Sequence, residues 1–195
     1  MLTPDILDTF RTLLTEATAA GDPEPTAMTL ATADDDGRVS ARIVLLKGVD
    51  TDGFRFFTNY TSAKGAQIAR QPQVALCFHW KTLREGVQVR IEGAVEPLPA
   101  ADSDAYFATR PRLSQIGAWA SLQSQTLPDR ATFEQRVAHY EREFADRDVP
   151  RPPHWGGYRV VPDRVEFWYG AQFRLHERVL WEYADGRWQR RELYP

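Results

Sequence analysis

Cysteine is almost absent from this sequence of 195 residues. Cys77 stands alone, so no disulfide can form within the chain and no CxxC zinc or redox pair exists. There is no excess of positive charge either. The 24 lysines and arginines face 27 acidic residues and leave a net charge of −3, so there is no global basic field for nucleic acid and any anion site must be local. No apolar run reaches membrane-spanning length. The N-terminal MLTPDILDTF lacks the basic and apolar regions of a signal peptide, and the expectation is a cytoplasmic protein. A glycine-rich phosphate loop and a GxSxG elbow are missing. His79, His139 and His154 show no metal-ligand spacing with carboxylates or with Cys77, so no metal site is expected. Aromatics, by contrast, are plentiful: six Trp, seven Tyr and ten Phe can line a core, an interface or a flat ring site.

The length suits one domain, residues 1–195, with a sizeable core. Residues 4–20 read as a helix: Thr3 can cap it, Pro4 fits the first helical position, and Ile6, Leu7, Phe10, Leu13, Leu14 and Ala17 form one apolar stripe. Strands are expected over 27–33, 39–47, 54–58, 73–80 and 87–96, with a glycine-bearing hairpin loop at Asp34–Arg38 and a loop at 48–53. Ser62 can cap a short helix ending near Arg70, before Pro72. A helical insertion follows over about 100–145: 100–110, 114–120, and 129–145 with Phe133, Val137, Tyr140 and Phe144 at helical spacing. Strands return at 157–161, 164–169, 174–183 and 187–192, the last pair turning at Ala184-Asp185-Gly186. Closely spaced strands with glycine turns suggest an antiparallel barrel with helical additions, a mainly β, α+β protein.

Three clusters offer chemistry. Arg42-Ile43-Val44-Leu45-Leu46-Lys47 reads as a strand buried on both faces with a cation at each end, about 16 Å apart. It is either a core strand with solvated ends or a hydrophobic floor that brings two anions together. In Arg174-Leu175-His176-Glu177-Arg178, a strand would put residues 174, 176 and 178 on one face, either an exposed face or a wall toward an anionic ligand. Tyr106 and Arg110 lie one helical turn apart, Pro111 turns the chain, and Ser114 would begin a new helix whose free N–H groups attract anions. That set reads as ordinary capping or as a phosphate site. Gln123-Ser124 and Ser62-Ala63-Lys64 are weaker sources of donors.

Taken in order, these segments resemble the pyridoxamine (pyridoxine) 5′-phosphate oxidase family. The resemblance runs from about Pro25 to Pro195 and rests on Arg42–Lys47, Phe57-Thr58-Asn59, Tyr106-Phe107, the run Arg110-Pro111-Arg112-Leu113-Ser114-Gln115-Ile116-Gly117-Ala118-Trp119, Gln123-Ser124, Trp155-Gly156-Gly157-Tyr158-Arg159, Glu166-Phe167-Trp168 and Arg174–Arg178. It implies a split β-barrel that binds flavin mononucleotide (FMN) at a homodimer interface. It also implies oxidation of pyridoxamine or pyridoxine 5′-phosphate to pyridoxal 5′-phosphate, with dioxygen as acceptor and hydrogen peroxide released. Carried over, Arg42 meets the flavin phosphate, Ile43, Val44, Leu45 and Leu46 lie along the flavin, and Lys47 serves flavin and substrate. Phe57, Thr58, Lys64, Gln88, Gln123, Ser124, Trp168 and Arg178 are further flavin contacts. Tyr106, Arg110 and Ser114 hold the substrate phosphate. Arg174, Leu175 and His176 sit over the substrate ring, where Arg174 and His176 are the catalytic candidates.

The chain departs from the family pattern in three places. Ala63 stands where the family usually has arginine, which removes one charge-assisted phosphate bond. Two extra residues separate Trp80 from the flavin-contacting glutamine, aligned here as Gln88, and a two-residue shift keeps its facing. The N-terminal arm that covers the substrate in some members is short, so a more open site is expected. Two alternatives remain beside the resemblance: a split-barrel flavin oxidase for another ring, such as a phenazine precursor, and a protein that holds flavin or pyridoxal phosphate without turnover.

Overall fold

The computed structural model describes residues 1–195. Helix α1 (Pro4–Ala19) starts where the cap and proline predict: the Thr3 hydroxyl accepts from the N–H of Ile6 at 3.5 Å. Its stripe of Ile6, Leu7, Phe10, Leu13 and Ala17 is buried. Phe10 meets Phe54 and Phe78 edge-to-face at 4.9 and 5.1 Å, so the helix plugs the concave side of the sheet.

Nine antiparallel strands form that sheet: β1 (Ala27–Ala33), β2 (Val39–Leu45), β3 (Gly48–Asp50), β4 (Gly53–Asn59), β5 (Gln73–Trp80), β6 (Val87–Pro97), β7 (Trp155–Tyr169), β8 (Glu177–Ala184) and β9 (Arg187–Leu193). The order is β2-β1-β5-β6-β7-β4-β3, with β8 and then β9 added on β7. Four helices complete the chain: α2 (Ala63–Arg70), α3 (Ala100–Ala108), α4 (Arg112–Ala120) and α5 (Arg130–Glu143). The main core lies between α1 and the sheet. A smaller one, built on Phe107, Ile116, Phe144, Val149 and Trp155, joins the helical insertion to the start of β7.

Four sequence expectations need correction. The run 42–47 is not a strand buried on both faces. β2 is an edge strand that pairs with β1 only, it ends at Leu45, and Ile43 is 63 % exposed. An apolar strand reads as buried, but nothing in this chain covers its outer face. The stretch 48–53, expected as a loop, contains β3, which forms a hairpin with β4. The two strands expected at 157–161 and 164–169 are one 15-residue strand. Pro162 is tolerated because the register shifts there: Gly93 faces Pro162, Glu92 faces Arg164, and Asp163 is bulged out between them. Finally, no strand runs through residues 174–176. Gln172–Arg174 make a 3-10 turn in which Phe173 and Arg174 have φ of 56° and 63°, and β8 starts only at Glu177.

That β7 bulge is possible because residue 93 is glycine. A Cβ there would lie 2.2 Å from the backbone oxygen of Val161. Gly93→Ala is therefore expected to destabilise the fold by about 1–3 kcal/mol, as overpacking does, read as a lower thermal midpoint. An unchanged midpoint would show that the bulge has room to spare.

Candidate active site

The helical insertion packs on β7, and a cavity of about 500 Å³ opens between it, β4 and the edge strand β2. Ile43, Val44 and Leu45 of β2 line one side, Phe57 and Thr58 of β4 another, and Lys47 one rim. Lys64 enters from the first turn of α2, Tyr106 from α3, Arg110 from the α3–α4 turn, Ser114 from α4 and Gln123 from the loop beyond. Eleven residues singled out in the sequence, scattered over eighty positions, thus line one cavity. Leu46, Arg42 and Ser124 do not: Leu46 is 5 % exposed and packs in the main core, Arg42 lies close to the cavity residue Lys64, and Ser124 lines a neighbouring pocket together with Gln123.

The cavity has two cationic ends. Beside one of them, next to Lys64, the Arg42 guanidinium reaches back across β1, donating to Leu30 O at 3.1 Å, Thr32 Oγ1 at 2.5 Å and Gln67 Oε1 at 3.3 Å. Lys64 Nζ donates to Gln123 Oε1 at 2.9 Å and Ser62 Oγ at 3.2 Å. Ser62 also caps α2, and Ser124 Oγ accepts from the Ala63 N–H at 3.1 Å. These contacts fix Gln123 and Ser124 beside the helix start. Burial lowers the Arg42 pKa. Burial, and then the charge of Arg42, lowers that of Lys64.

At the other end, Tyr106 stacks on Phe57 with centroids 4.0 Å apart, and Trp155 continues the stack from Phe57 at 5.5 Å. The Arg110 guanidinium lies 4.6 Å from the Trp155 ring centre. Its Nη1 is buried and has no hydrogen-bond partner, and burial lowers its pKa. Ser114 does not open its helix as expected. α4 begins at Arg112 after Pro111, and the Ser114 N–H already donates to Pro111 O at 2.8 Å, so its hydroxyl is what it offers the cavity. Trp155 was not among the residues expected in the site. Its place between Pro152-Pro153 and Gly156-Gly157 was the only sequence signal of an aromatic held rigidly at a strand start.

No aspartate or glutamate lines this cavity. No carboxylate pairs with Arg42, Lys47, Lys64 or Arg110, although fourteen ion pairs occur elsewhere in the chain. Cations that are half-buried and unpaired are costly unless an anion joins them. The donor set, with one orphaned guanidinium nitrogen, fits a phosphate group at each end and a flat ring system between them.

The remaining candidates lie elsewhere. Gln88, Trp168 and Arg178 are register partners across β6, β7 and β8 and share one sheet face. The His176 ring packs 4.5 Å from that of Trp168, and its Nδ1 accepts from the Ala171 N–H at 3.2 Å. Arg174 and Leu175 project from the 3-10 turn and are exposed. Of the expected row 174, 176 and 178, only Arg178 is on a strand, because the positive φ at 173 and 174 breaks the alternation. Trp155 at the cavity and Trp168 in this second cluster stand near opposite ends of β7. They are thirteen positions apart, roughly 40 Å measured along the strand.

Residues 14–143 match the family profile described as pyridoxamine 5′-phosphate oxidase, and residues 155–195 match the pyridoxine 5′-phosphate oxidase C-terminal dimerisation region. The chain belongs to the pyridoxine/pyridoxamine 5′-phosphate oxidase family. The oxidase of that name from Xanthomonas campestris pv. campestris is 58% identical over 98% of this chain and 97% of its own, and that of Myxococcus xanthus is 51% identical over 100% and 94%. Among solved structures, PhzG from Burkholderia lata 383, in complex with tetrahydrophenazine-1-carboxylic acid, superposes with a TM-score of 0.92 at 30% identity, covering 100% of this chain and 98% of that one. The sheet described above is thus the split barrel of the oxidase family, as the resemblance implied. The second cluster falls wholly, apart from Gln88, within the segment matched to the dimerisation region.

Unpaired cations predict anion-linked stability. Inorganic phosphate is expected to raise the thermal midpoint of ligand-free protein, with a gain of about 2.7 kcal/mol at a hundred times its dissociation constant. Arg110→Gln and Lys64→Gln should each reduce that gain. A gain unaffected by both substitutions would move the anion site out of the cavity.

Proposed function

We propose that this chain oxidises pyridoxamine 5′-phosphate and pyridoxine 5′-phosphate to pyridoxal 5′-phosphate, using FMN and dioxygen. This is the activity that the close relatives' names carry, and FMN is the cofactor of the family. The observation that carries the residue-level reading is the cavity itself: an apolar floor between two sets of unpaired cations. FMN fits with its phosphate at Arg42, Lys64, Gln123 and Ser124 and its ring system along Ile43, Val44 and Leu45, toward Lys47, Phe57 and Thr58. The substrate phosphate fits at Tyr106, Arg110 and Ser114.

Bound FMN supplies the redox chemistry, accepting two electrons from the substrate carbon that dioxygen then carries off as hydrogen peroxide. The alcohol gives the aldehyde directly. The amine gives an imine that water hydrolyses to aldehyde and ammonia. The protein's part is placement. Arg110 fixes the substrate at its phosphate, Lys47 lies at the rim shared by flavin and substrate, and the aromatic stack of Phe57, Tyr106 and Trp155 keeps the guanidinium and phenol in register.

Arg174 and His176 do not line the cavity of their own chain; they follow the end of β7 that lies away from Trp155. They fit the cavity of a second copy. β2 leaves Ile43 uncovered, and the dimerisation-region match spans the cluster that would reach across. In this reading the protein is a homodimer in which Gln88, Trp168 and Arg178 of one protomer contact the flavin held by its partner, and Arg174, Leu175 and His176 cover the substrate ring. Of these three, Arg174 and His176 carry the polar groups that would orient the ring against the flavin, which makes them the catalytic candidates.

The phenazine-type alternative shares the fold, as the similarity to PhzG makes plain. What favours a phosphorylated substrate is the end at Tyr106, Arg110 and Ser114, where Arg110 Nη1 lacks an acceptor. Purified protein is expected to be yellow and, given pyridoxine 5′-phosphate in air, to form peroxide and aldehyde together. A colourless preparation that takes up no FMN would contradict the reading. Arg174→Ala should retain flavin and lose at least about 100-fold in kcat/KM, about 2.7 kcal/mol of transition-state stabilisation. Wild-type turnover in that variant would remove Arg174 from the site. Ala63 sits at the first position of α2, beside Ser124 and Lys64. Ala63→Arg is expected to tighten FMN binding by about tenfold through a charge-assisted phosphate bond, measured by quenching of flavin fluorescence; equal or weaker binding would place the phosphate elsewhere.

A further inference from the structure

Glu166, three residues before the end of β7, is the one charged residue among the buried side chains, at 3 % exposure. None of the roles assigned above uses it. A carboxylate removed from water this far is stable only with charged partners, and it has two. Arg178 Nε donates to its Oε1 at 2.8 Å, and Arg90 Nη1 donates to its Oε2 at 3.3 Å. Register explains the meeting: Glu166 faces Arg90 across β6, and Arg178 faces Trp168, two residues further along β7. Gln88, Arg90, Glu166, Trp168 and Arg178 therefore share one sheet face. Arg178 is held a second time, by Nη1 donating to the Tyr194 carbonyl at 3.1 Å, which leaves Nη2 without an acceptor in its own chain. Arg90 is occupied differently: its Nη2 donates to Glu92 at 2.8 Å.

We propose that Glu166 is a positioning residue of the active site, acting through Arg178 to hold the free Nη2 edge of that guanidinium toward the flavin. The proposal rests on the reading that Arg178 contacts FMN. A free arginine side chain samples many rotamers, and one tethered at Nε and Nη1 has little freedom left to lose when the ligand arrives. The carboxylate also lies between two guanidinium groups that would otherwise repel each other. Its hydrogen bond holds the Arg178 pKa above the ordinary value.

The test is a double-mutant cycle on FMN affinity. Apoprotein is titrated with FMN by flavin fluorescence quenching in four forms: wild type, Glu166→Gln, Arg178→Gln and the double variant, with circular dichroism to establish that each is folded. Each single substitution is expected to weaken FMN binding about tenfold, and the double variant also about tenfold, because without Arg178 there is nothing left for Glu166 to position. A hundredfold loss in the double variant would mean that Glu166 acts on the fold independently, and overturns the proposal. Wild-type affinity in Glu166→Gln beside weakened binding in Arg178→Gln overturns it too, while leaving the flavin reading intact. Wild-type affinity in Arg178→Gln removes that reading and the proposal with it. Should Glu166→Gln fail to fold, Glu166→Asp takes its place in the same cycle, keeping the charge but shortening the reach, with the same non-additivity expected.

Discussion

The Arg110 guanidinium lies against the Trp155 ring with a buried nitrogen that nothing in the chain accepts, facing a cavity that contains no carboxylate. At the far end Arg42 and Lys64 are desolvated close to one another, and their only partners are neutral oxygens. Elsewhere in this chain arginines meet aspartates and glutamates freely. The exclusion of carboxylates from one cavity keeps cationic charge available for a ligand, and the local structure follows from it. The Ser62 cap and Ser124 set the α2 terminus, Pro111 turns Arg110 inward, and three aromatic rings keep the guanidinium from folding back to solvent.

The second constraint is topological. One strand, β7, pairs with β4 at its beginning and with β8 at its end, so the cavity and the Trp168 cluster are tied to a single rigid element and kept apart by it. The bulge at Asp163 bends that strand without interrupting it, and the residues at its far end do not line the cavity. The same sheet ends at β2 in an edge whose apolar residues lie open. The proposed homodimer with shared sites would answer both features at once, by covering the edge and by bringing to each cavity the arginines and histidine it lacks.

Much of this was legible in the sequence, for identifiable reasons. Helix α1 announces itself through Thr3, Pro4 and a stripe of one period. The hairpin at Ala184–Gly186 is marked by its glycine, and Asp185 and Gly186 take the positive φ such a turn needs. The cavity residues could be named because they sit in short, separate motifs whose resemblance to a family is residue by residue. What stayed hidden was context. An apolar run such as Ile43–Leu45 looks alike in a core and on an edge awaiting a partner. Pro162 reads as a break unless the bulge opposite Gly93 is known. Phe173 and Arg174 adopt left-handed backbone without the glycine or asparagine that would signal it, so a loop was read as a strand. Trp155 and Glu166 lay inside recognised segments, but their roles depend on a stacked neighbour and on a cross-strand pair that only the register defines.

The central claim is that each active site is built from two chains, and subunit complementation tests it most directly. A cavity variant, Arg110→Glu, and a cluster variant, Arg174→Ala, are each expected to be nearly inactive alone at low substrate. Co-expressed in equal amounts and purified without separating the species, half the dimers from random pairing combine the two chains. Each such dimer has one site with both lesions and one with neither, so activity should recover to about a quarter of wild type. Activity no higher than that of the two parents would mean that the cavity and the Arg174 cluster serve the same chain, and would contradict the account.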